Sequence, residues 1–143
     1  MTITEGVKID RSQVERGVRD WIKRISDLYS TIKSWTKHTE YSIKTGGKVL
    51  MYEELMGQFN IPPVEIDTAD IYKDDRIVLT IKPKGLWIIG VNGRIDILSP
   101  HGSYTLVDTS EPFKTPKWKL YNSDKRNGLD FTKQSFLQLL KLK

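Results

Sequence analysis

An apolar stripe that runs without a break from Val14 to Trp35 constrains this chain more than any other feature. Val14, Val18, Trp21, Ile22, Ile25, Leu28, Tyr29, Ile32 and Trp35 recur at the spacing that gathers side chains along one side of an α-helix. Asp10 or Ser12 can start that helix. Ser12 with Glu15 has capping-box spacing, in which each side chain satisfies an otherwise unpaired backbone N–H. Glu15 with Arg19, and Asp20 with Arg24, add ion pairs with the acid on the favourable N-terminal side. These features predict a helix over residues 10–37. It is long for a chain of 143 residues, so its stripe must lie across a sheet or against another chain.

The stretch 38–48 is polar, with Gly46-Gly47 as its flexible point. Thr45-Gly46-Gly47-Lys48-Val49 lacks the first glycine and the hydroxyl of a phosphate-binding loop, so a linker is the reading. Leu50, Met51, Leu55, Met56 and Phe59 suit a short helix over 49–59, ended by Asn60 and Pro62-Pro63 because a residue before proline avoids helical geometry.

From Val64 the repeat changes to two, predicting an antiparallel meander of about five strands over 64–121. Within it, Pro83-Lys84-Gly85 reads as a turn, and Asn92-Gly93 is the strongest hairpin signal, since a type I′ turn needs positive φ at both centres. That turn would set Ile88 opposite Ile97 and Trp87 opposite Leu98. Ser99-Pro100-His101-Gly102 forms another turn, setting Leu98 opposite Ser103 and Ile95 opposite Leu106. Parity then sends Leu86, Ile88, Ile95, Ile97, Tyr104 and Leu106 to the core face, and Trp87, Ile89, Leu98, Thr105 and Val107 to the other. Phe131, Phe136, Leu137, Leu139, Leu140 and Leu142 predict a closing helix over 130–142. The expectation is a single α+β domain over 1–143: a long N-terminal helix and a C-terminal helix packed on an antiparallel meander.

Composition narrows the chemistry. With no cysteine, disulfide scaffolds, thiolate–zinc sites and cysteine catalysis are excluded. No apolar run reaches the roughly 20 residues of a membrane span, and Met1–Lys8 carries no signal-peptide core, which predicts a soluble cytoplasmic protein. His38 and His101 are the only histidines and have no metal-ligand spacing between them; one reads as a helix-end residue, the other as a turn residue. No serine stands in a nucleophile motif, and no cofactor is implied.

The reading that follows is a non-enzymatic module acting through protein–protein contacts, as a regulator, an immunity-type inhibitor or an assembly subunit. Its partner is another protein or a second copy of itself. The candidate contact residues are Trp21, Ile25 and Leu28 on the long helix, which would pair two copies together with Ile32, and Trp87 and Ile89 on the second sheet face. The alternative rests on charge. The last 30 residues hold eight of the basic and two of the acidic residues, and Phe113 to Tyr121 interleaves lysines with aromatics, as single-stranded nucleic-acid binders do. Lys114, Lys117, Trp118, Lys119, Lys125 and Arg126 would then contact RNA or DNA. A metal-free, toxin-type ribonuclease is the catalytic form of that alternative, drawing on Arg94, Asp96, His101, Tyr104, Lys117 and Lys119. Parity, however, sets Tyr104 and Asp96 on opposite faces.

Overall fold

The computed structural model describes residues 9–122 and 128–141. Helix α1 (Arg11–Thr36) leads into β1 (Tyr41–Met51), a short α2 (Glu54–Gln58), and strands β2 (Val64–Lys73), β3 (Arg76–Gly85), β4 (Arg94–Ser99), β5 (Gly102–Asp108), β6 (Trp118–Asn122) and β7 (Leu129–Asp130). Helix α3 (Lys133–Lys141) closes the chain. The strands form one antiparallel sheet in the order of the sequence, each beside its neighbour. The architecture is α+β, with seven strands rather than about five.

Helix α1 starts at Asp10. Its carboxylate accepts from the Gln13 backbone N–H at 2.9 Å, and the Gln13 side chain accepts from the Asp10 N–H at 3.0 Å. The capping box is therefore Asp10 with Gln13, while Ser12 donates its hydroxyl to Asp10. Accepting these bonds holds the Asp10 carboxyl below its usual range, the Gln13 amide being the main cause. Glu15 pairs backwards with Arg11 at 3.2 Å rather than forwards with Arg19. Across the inner face of the sheet the helix buries Val14, Val18, Trp21, Ile25, Leu28, Tyr29 and Ile32 against Ile66, Ala69, Ile71, Leu79, Ile81, Ile95, Ile97, Leu106 and Leu120. Each large apolar side chain buried there contributes about 1.5–3 kcal/mol. Helix α3 joins the same face through Phe136 and Leu139, and Phe136 and Phe131 stack on Trp35 at 5.7 and 5.3 Å. Both long helices thus share one face. Neither helix covers the second face, and Leu98 and Ile77 stay exposed there.

Two sequence expectations give way. The helix over 49–59 is in fact the end of β1 followed by α2. Residues 41–51 form an edge strand whose inward side chains, Ile43, Val49 and Met51, are sparse enough to look like a linker. Gly46-Gly47 lies within this strand at a bulge, where the register with β2 shifts between Thr45 and Lys48. A Cβ on Gly47 would stand 2.5 Å from the Thr68 hydroxyl, so the close approach requires glycine.

The hairpin at Asn92-Gly93 also does not form. Strand β4 pairs with β3 instead, Ile97 opposite Ile81 and Ile95 opposite Pro83, and Pro83-Lys84-Gly85 is strand rather than turn. Residues 86–93 connect the two strands and reverse at Gly90, whose φ is 87°. Val91 donates to the Ile88 carbonyl at 3.3 Å, so Ile89 and Gly90 occupy the centre of a four-residue turn with glycine at the position that needs positive φ. Asn92 and Gly93 extend the β4–β5 ladder, with Asn92 N donating to Asp108 O at 2.8 Å and Asp108 N to Gly93 O at 3.1 Å. Tertiary packing decides between the two: Gly93 lies under the Trp21 ring, which occupies the place a Cβ would need. The hairpin at 99–102 sits where the sequence places it, with Leu98 opposite Ser103 and Ile95 opposite Leu106.

Candidate protein-binding surface

A charged residue interrupts the apolar stripe of α1. Arg24 follows Trp21 by one helical turn and is 4% exposed, and an unpaired guanidinium there would be very costly. It is fully engaged. Nε donates to Asp20 at 2.8 Å, and Nη1 donates to the Asp108 carboxylate at 2.7 Å and to the Asn92 carbonyl at 2.6 Å. Asp108, wholly buried at the end of β5, also accepts from the backbone N–H groups of Ser110 and Lys117 at 2.8 and 3.0 Å. One ion pair therefore fixes the helix, the 86–93 connection and the 109–117 connection together.

Both connections are also held from outside this hub. The Glu53 carboxylate accepts from the backbone N–H groups of Leu86 and Trp87 at 2.9 and 3.1 Å. The Trp87 ring lies against Gly17 of α1. On the preceding residue of the helix, the Arg16 guanidinium stacks on Phe113 at 3.8 Å. Phe113 has φ of 62° and stays 42% exposed. The Asn92 side chain reaches Glu111 O at 3.5 Å, joining the two connections. Above this framework the Ile89 side chain touches nothing: its exposure is complete, 101% of the reference value.

The sequence candidates fall into three groups. Trp21, Ile25 and Leu28 are 0, 2 and 3% exposed, consumed by the fold, so helix α1 has no free stripe with which to pair a second copy. Trp87 and Ile89 are not on the sheet but on the 86–93 connection, one half-buried at its base and one exposed at its tip. In the basic group, Lys114 and Lys117 are exposed, and Trp118 turns inward with its ring 6.2 Å from that of Trp21. Lys119 is ion-paired with Asp130, and its amine is raised in pKa, first by that hydrogen bond and then by the carboxylate's charge. Lys125 and Arg126 lie outside the described residues.

The residues weighed for ribonuclease chemistry do not converge. Arg94 Nε bonds Asp96 at 3.0 Å on the outer face, Tyr104 belongs to the inner face opposite Ile97, and His101 is in the β4–β5 turn. Among the described residues no three histidine or acidic side chains group to hold a metal ion. Sequence reasoning paired Arg24 with Asp20, as the structure has it, but missed its buried partner Asp108, and it read Phe113 as part of a nucleic-acid-binding segment rather than as a neighbour of Ile89. No family model, curated protein or solved structure matches this chain.

Proposed function

We propose that this chain is a non-enzymatic binding module that docks on another protein through the end formed by residues 86–93 and 109–117. Ile89 is the anchor, with Phe113 and the exposed edge of Trp87 beside it. The observation that carries the reading is the combination at Ile89: a wholly exposed isoleucine on a turn whose flanks are fixed by Glu53, Asp108 and Arg24. A preorganised apolar knob loses little conformational freedom on binding, which is how a small contact acquires affinity. Seating it in a partner's pocket is worth about 1.5–3 kcal/mol, or roughly 10- to 150-fold in affinity.

Nucleic-acid binding has weaker support, because Trp118 faces the core and Lys119 is neutralised by Asp130. The test is quantitative affinity purification with wild type, Ile89→Asp and Phe113→Ala in the native cell extract, each variant checked for an unchanged unfolding midpoint. A protein retained by wild type and lost with Ile89→Asp supports the reading. The same retained set for all three chains refutes it.

A further inference from the structure

At the end of strands β5 and β6 opposite the Ile89 surface, a cavity of about 440 Å³ opens between the inner face of the sheet and helix α3. That volume lies within the roughly 300–1,000 Å³ typical of small-molecule sites. Its floor and wall are apolar. Leu120 and Leu139 are buried, Tyr104 is half-buried, and Leu129 of β7 is 50% exposed. Helix α3 contributes Ser135, Gln138 and Lys141 at spacings of three, which sets them in one row along the cavity. The Ser135 hydroxyl is engaged at the start of α3, accepting from Thr132 N at 2.8 Å and donating to Asp130 O at 2.9 Å. The Tyr104 hydroxyl, the Gln138 amide and the Lys141 ammonium have no protein partner among the described residues. All three can donate a hydrogen bond, and one carries a full positive charge. Among the described residues no carboxylate side chain lines the cavity.

From this combination we infer that the cavity binds a monocarboxylate with an unbranched apolar tail of medium length, the tail on Leu120, Leu129 and Leu139 and the carboxylate at Lys141. The leucines favour the tail, since each methylene removed from water strengthens binding about fourfold. The polar groups select the head. A single lysine beside two neutral donors matches one negative charge and holds it by charge-assisted hydrogen bonds. A cationic head would meet the Lys141 ammonium instead, and a dianion would find only one positive charge. A protein segment fits less well, because its backbone N–H and C=O groups would need partners that a floor of leucines does not supply. The cavity lies apart from Ile89, so the inference stands or falls independently of the partner surface.

Octanoate is the probe, and octanol, the same tail without the charge, is its control. Heteronuclear NMR titration of the full chain at neutral pH should show saturable binding of octanoate, with shifts centred on α3 and strands β5 to β7. Each methylene removed from the acid should weaken binding about fourfold. Octanol should bind about tenfold more weakly than octanoate, for want of the charged hydrogen bond. Gln138→Trp, at an exposed helix position where a large side chain fills the cavity, should abolish binding while leaving the unfolding midpoint unchanged. Lys141→Gln, also exposed, should lower the affinity for octanoate to that for octanol. No saturable octanoate binding, or binding indifferent to Gln138→Trp, overturns the site. Octanol binding as tightly as octanoate, or octanoate binding unchanged by Lys141→Gln, overturns the assignment of a carboxylate.

Discussion

Replacing Arg24 by methionine isolates what the buried ion pair does. Methionine keeps most of the side chain's apolar volume, so little cavity opens. The loss falls on Asp108, whose carboxylate is wholly buried and keeps only the backbone N–H groups of Ser110 and Lys117 as donors. The Asn92 carbonyl, which accepts from Arg24 at 2.6 Å, also loses a donor. Breaking a buried pair from one side costs about 3–5 kcal/mol, because a charge is stranded in a poorly solvating interior. For a chain of this size 1 kcal/mol moves the melting temperature by roughly 3 °C, so Arg24→Met should melt about 10–15 °C lower. The companion Arg24→Met/Asp108→Asn removes the stranded charge while leaving an oxygen to accept from Ser110 and Lys117. It should recover about half of the loss, since the remaining deficit is ordinary hydrogen bonding. Urea titration at neutral pH, followed by tryptophan fluorescence, reads both. If Arg24→Met costs less than about 1 kcal/mol, or if the double variant is no more stable than the single one, the stranded-charge argument is wrong.

Other outcomes follow from single contacts. Gly93→Ala should destabilise by about 3 kcal/mol or more, since it strains a positive φ and drives a methyl into the Trp21 ring; thermal melting reads it. The Tyr29 hydroxyl donates to the Asp67 carbonyl at 2.7 Å, and burial raises its pKa above the ordinary value of 10. The folded state therefore binds the phenolic proton more tightly than the unfolded chain does. The stability it contributes is whole below about pH 10 and falls as pH rises further. Tyr29→Phe should cost about 1 kcal/mol at pH 7 and flatten the decline in urea midpoint above pH 10. Asp10 has the opposite sign: its carboxyl is depressed, so its capping contribution is present at neutral pH and lost as pH falls through the depressed value. Asp10→Ser should keep the helix start and lose that acid dependence, whereas Asp10→Ala should fray the first turn at every pH, as circular dichroism of the folded chain will show.

The parts of this fold that can be read from the chain are those in which a pattern repeats. Helix α1 carries its apolar stripe over about six turns, too many for chance. The turn at 99–102 joins two strands whose alternation continues on both sides, so one signal fixes six residue pairs. Asn92-Gly93 misleads because the conformation that suits a hairpin also suits a ladder end beneath an aromatic ring, and only the position of Trp21 distinguishes them. Strand β1 hides because an edge strand has one neighbour and few inward side chains, and two adjacent glycines within it imitate a linker. The surface end was half visible. Trp87 and Ile89 stand out as apolar residues without a core partner, but the wrong turn assigned them to the sheet. Arg24 did leave a trace, being a charge flanked at helical spacing by Trp21 and Leu28, and the parity that buries Leu106 also turns Asp108 inward. Phe113 stood out only as one aromatic among lysines, since its place depends on a positive φ and on Arg16 rising to meet it.

The distance along the chain between Arg24 and Asp108, 84 residues, has a bearing on how the molecule comes off the ribosome. At about 5–20 residues per second, some 4–17 s separate the emergence of the guanidinium from that of its carboxylate. Early in that interval the nascent helix shows its greasy side with no sheet to lay it on. Strands that each zip onto the one before shorten the wait, and a chaperone that shields amphipathic helices would have its longest engagement with this segment.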